Sequence, residues 1–217
     1  MTIAAGRRGR VAALVGVLVL ALAGFLVLSE AYVDNWPIVD LDARVEEWVA
    51  GRMPTWAEWL ARPFTWAGGT VGLAVVVGVT VAMLLWGGRR ADAFLVVAAA
   101  VGSQFLVTLL KPMYGRARPD AGSPIDLPYS TSFPSGHAAT GIALFGALAV
   151  IAAVRARSSR EAAGLLVLGL LVGVAVGASR VVLNVHFVSD VLAGFCLGLA
   201  WLSVCLLVRE LVAGRSV

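Results

Sequence analysis

The sequence predicts an all-α fold: a six-transmembrane-helix bundle with an interfacial amphipathic helix in the first extracytoplasmic connection. Three observations predict it. Hydrophobic residues fill 60% of the 217 positions and charged residues only 14%, against roughly 25% charged in a soluble domain. Six apolar runs carry no charged residue and have the length that crosses a bilayer as a helix. The segments between them alternate in their content of basic residues, as the two sides of a membrane require. Disorder and a disulfide scaffold are excluded, the first by the apolar content. The only cysteines, Cys196 and Cys205, lie on opposite faces of one helical run, too few and too far apart for a bridge or a cysteine zinc site.

The runs are Val11–Leu28, Gly68–Trp86, Ala93–Leu110, Ala138–Val154, Ala162–Ser179 and Val191–Val208. Arg7, Arg8 and Arg10 precede the first, which resembles a signal peptide in that respect. Its apolar stretch is long and no small-residue cleavage site follows, so it reads as a retained span. The whole chain, 1–217, reads as one integral membrane domain. In lipid, helices are the way to satisfy every backbone group within a segment.

With the N-terminus in the cytoplasm, the inner segments hold ten cations, including Arg89, Arg90, Arg155, Arg157, Arg160, Arg209 and Arg215, against the three acids Asp92, Glu161 and Glu210. The outer segments hold seven cations and ten acids. Both termini are therefore expected in the cytoplasm of a plasma (inner) membrane protein.

The first outer connection, Ser29–Ala67, carries Trp36, Trp48, Trp56, Trp59 and Trp66. Within it Leu41, Val45, Trp48 and Val49 fall on one helical face, with Asp40, Asp42, Arg44, Glu46 and Glu47 on the other. This predicts a helix lying flat at the interface, either as a depth anchor or beside a lipid access gap. Gly169, Gly173 and Gly177 on the fifth span, and Gly194 and Gly198 on the sixth, recur every four residues. That spacing lets backbones approach closely and predicts that the last two spans touch each other.

The scarce polar residues gather at one end. Both histidines, His137 and His186, and the single lysine, Lys111, stand at outer span ends. Three stretches hold them: Lys111 through Arg118-Pro119, then Pro134-Ser135-Gly136-His137, then Ser179-Arg180 followed by His186 and Asp190. Lys111, Arg118 and Arg180 are cations on one face, and an anion would hold them together; guanidinium forks suit phosphate oxygens. Ser135 and Gly136 read as a helix start whose free N–H groups face the same anion. His186 and Asp190, spaced i, i+4, share a helix face, so the carboxylate can fix one imidazole nitrogen and leave the other free to attack. His137 is then available as a general acid.

These stretches resemble the three-part signature of the type 2 phosphatidic acid phosphatase family, the lipid phosphate phosphatases: K-x6-RP, PSGH and SR-x5-H-x3-D. Every signature residue is present at its spacing. The resemblance implies roles. His186 takes the phosphoryl group covalently, Asp190 orients it, and His137 protonates the leaving oxygen and later activates water. Lys111, Arg118, Ser135, Gly136 and Arg180 hold the phosphate oxygens. It implies no metal and no cofactor; Asp120 and Asp126 are too scattered for a two-metal clamp. Arg116 reads as a loop residue or an accessory headgroup contact, Ser179 as a helper and Asn184 as structural. Tyr114 and Tyr129 read as interfacial anchors or pocket lining.

The expected activity is hydrolysis of a lipid phosphate or diphosphate (undecaprenyl diphosphate, phosphatidylglycerol phosphate, phosphatidate or diacylglycerol diphosphate) at the extracytoplasmic face. The partners are that substrate and membrane lipids, with no nucleic acid; oligomeric state is not legible in the sequence. The alternatives are a lipid-linked phosphotransferase on the same scaffold and a non-catalytic lipid-binding membrane protein.

Overall fold

The computed structural model describes residues 2–119, 123–125 and 130–213. Asp120, Asp126, Tyr129 and Arg215 lie outside the described residues. Among the described residues the chain forms helices and no strand: α1 (Thr2–Val33), α2 (Pro37–Arg52), α3 (Thr55–Gly68), α4 (Thr70–Trp86), α5 (Arg90–Tyr114), α6 (Gly136–Ala153), α7 (Ser159–Val182) and α8 (Val188–Ala213). Of these, α1, α5, α6, α7 and α8 are long and apolar enough to cross a membrane. The pair α3 and α4 passes the same test together, bent by 59°, and makes a sixth span if counted as one. The protein is a multi-pass helical membrane protein.

Four of the six apolar runs lie wholly inside one helix. The second starts at the last residue of α3 and crosses the bend, and the fourth ends one residue beyond α6. The bend is built at Gly68 and Gly69. Gly69 is extended, and a Cβ at Gly72 would strike the Trp66 carbonyl. The small residue lets the first turn of α4 sit against the end of α3.

Helix α6 is the centre of the bundle. Its sequence is rich in alanine and glycine, and Ala138, Ala139, Thr140, Gly141, Ile142, Ala143 and Leu144 are all buried in succession. Such short side chains admit neighbours on several sides, and close packing is what holds helices together in lipid. The two glycine stripes use this. The last two spans do touch each other, as the spacing predicted, but the stripes pack chiefly on a third helix. Both face α6: a Cβ at Gly173 would come within 2.9 Å of the Gly141 carbonyl oxygen, and one at Gly194 within 2.7 Å of the Ala138 Cβ. A Cβ at Gly198 would collide with the Ala139 carbonyl. Helices α7 and α8 therefore clasp α6 between them, and among these glycines Gly177 meets α8 directly, at Phe195.

The end of the bundle opposite the motifs is tied by charge. Asp92, buried at the start of α5, receives Arg89, Arg155 and Arg209 at 2.7–3.1 Å. Arg10 pairs with Glu210 at 3.1 Å and joins α1 to α8. The arginines expected on one side of the membrane thus converge at one end, while Lys111, Arg118 and Arg180 gather at the other.

Helix α2 forms where amphipathicity placed it, with Asp40, Arg44 and Glu47 exposed and Val49 buried as expected, but one polar residue is misassigned. Leu41 and Trp48 stay exposed, whereas Asp42, expected on the outer face, is buried beside Val49. The reason is a partner remote in sequence: Arg116 holds the Asp42 carboxylate at 2.8 Å.

Candidate active site

Each signature stretch sits at a helix end, where the chain changes direction. Helix α5 stops because Gly115 adopts a left-handed conformation (φ 60°) and returns its N–H to the Lys111 carbonyl at 3.1 Å. Lys111 therefore occupies the last turn of α5, and Arg118 lies on the segment that folds back. Helix α6 begins with Ser135 as its N-cap, the side chain accepting from the Ala138 N–H at 3.5 Å. Helix α7 ends with Arg180 in its last turn. The turn that follows contains Asn184 at φ 49° and delivers His186 one turn before Asp190 on α8.

These ends meet around one cavity of about 560 Å³. Lys111, Arg118, Gly136, His137, Arg180 and His186 line its polar mouth. Leu73, Ala74 and Val77 on α4, with Ala100, Val101 and Phe105 on α5, line the rest. The lining passes from cationic to apolar within one space. Of the expected site residues, Ser135 and Asp190 stand behind this lining, both fully buried.

The hydrogen bonds fix the state of His186. Its Nδ1 lies 3.2 Å from Asp190 Oδ2. Its Nε2 lies 2.9 Å from Arg118 Nη1. A guanidinium can only donate, so Nε2 carries the lone pair and Nδ1 carries the hydrogen directed at the carboxylate. Burial, then Arg118, Arg180 and Lys111, hold this imidazole well below the ordinary histidine range. The side chain is thus a neutral imidazole whose Nε2 lone pair, on the cavity side, is held by Arg118.

The other groups are placed by backbone oxygens. Arg118 also donates to the carbonyls of Val185 at 2.7 Å and Ser130 at 2.8 Å. Lys111 donates to the Thr131 carbonyl. Arg180 donates to the Thr65 hydroxyl, and its Nε is buried without a hydrogen-bond partner. His137 Nε2 lies 3.1 Å from the Thr65 carbonyl, which can only accept, so this nitrogen bears a proton. The three cations converge on space rather than on acids, which is the condition for receiving an anion.

Several residues take places that sequence reasoning did not foresee. Arg116 is neither an exposed loop residue nor a headgroup contact. It is buried, bonded to Asp190 at 2.7 Å and Asp42 at 2.8 Å, and sandwiched between the Tyr32 and Phe187 rings at 4.7 and 4.1 Å. Ser179 gives its hydroxyl to the Val176 carbonyl of its own helix and does not reach the cavity. Tyr114 packs on Phe133 and donates to Ser29 at 2.9 Å, joining α5 to α1. Thr65 and Asp42 come from the Trp-rich connection, where no local pattern marks them. Gln104 lines the cavity in mid-span; a strongly polar residue inside an apolar run was the available signal for it. Among the described residues no group of three His, Cys, Asp or Glu side chains is arranged to hold a metal ion.

Comparison with known proteins agrees with this architecture. The sequence profile of the PAP2 superfamily matches residues 92–212. Phosphatidylglycerophosphatase B of Bacillus subtilis (strain 168) is 28% identical over 176 residues, which cover 81% of this chain and 86% of that protein. The crystal structure of a transmembrane PAP2-type phosphatidylglycerolphosphate phosphatase from Bacillus subtilis superposes with a TM-score of 0.81 at 26% identity, over 90% of this chain and 96% of the other.

Proposed function

The chain belongs to the PAP2 superfamily, and on that premise we propose that it is a membrane lipid phosphatase working through a phosphohistidine at His186. The observation that carries this reading is the pairing at His186. Its Nδ1 is held by Asp190 at 3.2 Å and its Nε2 faces the cavity mouth among cations.

In the proposed reaction the phosphate of the substrate enters between Lys111, Arg118 and Arg180, and Arg118 turns from His186 to a phosphate oxygen. His186 Nε2 attacks phosphorus, the P–N bond forms and the P–O bond to the lipid breaks. His137, as the imidazolium, gives its Nε2 proton to the departing oxygen and becomes neutral, leaving Thr65 as its former acceptor. A water then loses a proton to His137 and attacks the phosphohistidine. The P–N bond breaks and inorganic phosphate leaves. The fixed cations and the N-terminus of α6, through Ser135 and the Gly136 N–H, offset the charge on the equatorial oxygens. The protein supplies this charge itself, so no metal is invoked.

The apolar wall between α4 and α5 suits an acyl or isoprenyl chain, which argues for a lipid ester over a soluble one. Phosphatidylglycerol phosphate is the first candidate, because the Bacillus relative is named for that activity. Undecaprenyl diphosphate, phosphatidate and diacylglycerol diphosphate present the same phosphate chemistry. The charge distribution supports an extracytoplasmic motif end, with α2 and its exposed tryptophan lying along that interface.

The test is phosphate release by purified protein from these lipids in detergent, with no acceptor added. Wild type should release phosphate and His186→Ala should not. Turnover only when a second alcohol is supplied would make the protein a phosphotransferase.

A further inference from the structure

The buried ion network behind His186 includes a residue from outside all three signature stretches. Arg116 Nη1 bonds Asp190 Oδ1 at 2.7 Å, and Arg116 Nη2 bonds Asp42 Oδ2 at 2.8 Å. Asp42 Oδ1 accepts from the Ser189 N–H at 3.0 Å, and its other oxygen accepts from the Ser189 hydroxyl. Asp42, Arg116 and Asp190 are 2%, 6% and 0% exposed. Asp42 and Arg116 lie off the cavity's lining, on the far side of Asp190.

The arrangement does two things. The bond to Ser189 anchors the first turn of α8, which carries Asp190, and so sets the carboxylate against His186. The bond to Arg116 divides one guanidinium between two carboxylates. A buried guanidinium bonded to Asp190 alone would neutralise it, and a neutralised pair supports an adjacent imidazolium poorly. With Asp42 present the three groups sum to a net negative charge. That charge stands opposite the cations on the cavity side of His186.

We propose that Asp42 is a positioning residue for catalysis: by sharing Arg116 it preserves the negative charge of Asp190 behind His186, which makes helix α2 a working part of the site. The proposal rests on His186 being the nucleophile. As Nε2 bonds to phosphorus the ring gains positive charge, and the carboxylate behind Nδ1 must then carry weight.

The experiment measures kcat, KM and the pH dependence of kcat/KM on one lipid phosphate for wild type, Asp42→Asn, Arg116→Gln and His186→Ala. The groups facing His186 are Asp190 from α8, Arg116 and Arg118 from the segment after α5, Lys111 from α5, Arg180 from α7 and His137 from α6. All but Arg116 are unchanged in the first two variants, and substrate ionisation is common to all. Asp42→Asn keeps the shape and one acceptor oxygen for Ser189 while removing one negative charge and the second acceptor. Its kcat should fall about tenfold or more with KM within twofold, and the acid limb of kcat/KM should move to lower pH. Arg116→Gln removes the positive charge and should move the limb the opposite way, to higher pH. A purely structural tie predicts loss of stability and rate in Asp42→Asn with its limb unmoved, and that result overturns the proposal. Limbs moving in the same direction overturn it too. If Asp42→Asn does not fold, the smaller neutral variant Asp42→Ser takes its place, with the same limb shift expected and an unmoved limb overturning the proposal. Phosphate release by His186→Ala would overturn the nucleophile assignment and this proposal with it. An inactive His186→Ala beside an Asp42→Asn enzyme with wild-type kcat and limb overturns the Asp42 role alone.

Discussion

Arg118 Nη1 stands 2.9 Å from His186 Nε2, so the nitrogen proposed to attack phosphorus is occupied by a guanidinium until substrate arrives. The contact is a charge–lone-pair bond in a buried place, and a phosphate oxygen is a stronger acceptor than a neutral imidazole. Substrate binding should therefore uncover the nucleophile by drawing Arg118 away. Removal of Arg118 should separate two readouts. Arg118→Ala should lose about 10²–10³-fold in turnover, the usual cost of one preorganised oxyanion donor. At the same time acylation of His186 by diethyl pyrocarbonate should become faster, because the lone pair is exposed. Slower or equal modification in a folded Arg118→Ala protein would show that the arginine does not cover the nitrogen.

The proposed charge neutralisation by Lys111, Arg118 and Arg180 makes a prediction about metals. Phosphate release should persist in excess EDTA and should not rise with added Mg²⁺. Vanadate should inhibit, since it can take five-coordinate geometry on the imidazole nitrogen of His186. Activity abolished by chelation and restored by Mg²⁺ would mean that a metal, not this cation set, offsets the phosphate charge.

The contrast between α6 and α2 shows what was legible in the sequence. The spans follow from apolar runs whose length is set by the bilayer, a constraint local to each run. The signature residues were legible because the two histidines and the single lysine stand at outer span ends in three stretches of fixed spacing, with Ser135 read as the start of α6. Asp42 and Thr65 were not. Their partners, Ser189 and Arg180, lie 147 and 115 positions away, and no local periodicity records a contact at that distance. The amphipathic pattern even assigned Asp42 to the wrong face, because hydropathy treats a buried, paired carboxylate as an exposed one. The glycine stripes revealed close packing and the contact between the last two spans but not their larger partner, α6, since a small residue shows that a backbone comes near without saying whose.

That packing can be measured. A Cβ on Gly198 would collide with the Ala139 carbonyl at the heart of the bundle. Backbone cannot yield as a side-chain tip can. Gly198→Ala should cost stability at the upper end of the roughly 1–3 kcal/mol typical of overpacking. Gly164, where a Cβ meets nothing within 4 Å, should tolerate the same change. Thermal unfolding in detergent compares the two, and equal melting temperatures would contradict the α6–α8 contact.

The arginine distribution predicts which end of the bundle faces outward. Gly51, near the end of α2, is exposed, and a Cβ there would meet nothing within 4 Å; Ser159 is exposed at the opposite end of the bundle. In a background lacking Cys196 and Cys205, Gly51→Cys should react with an impermeant thiol reagent on intact cells. Ser159→Cys should react only after lysis. The reverse pattern would place the chemistry in the cytoplasm.

The final prediction separates the two histidines. Burial and the surrounding cations hold His186 well below the ordinary histidine range of about 6.5. It must be neutral to attack, so the acid limb of kcat/KM belongs to it and should lie below pH 6.5. Activity is kept above that limb and lost as pH falls through it. His137 must instead be the imidazolium, with both ring nitrogens protonated; its Nε2 hydrogen, which bonds the Thr65 carbonyl at 3.1 Å, is then the one placed to pass to a better acceptor. The alkaline limb is then its own. Replacing His137 with alanine should remove that limb. It should also slow an alkyl phosphate far more than an aryl phosphate, whose phenolate departs with little need of a proton. Comparing the two substrates at one pH gives the decisive ratio. If His137→Ala slows both by the same factor, the residue binds phosphate and does not protonate the leaving group.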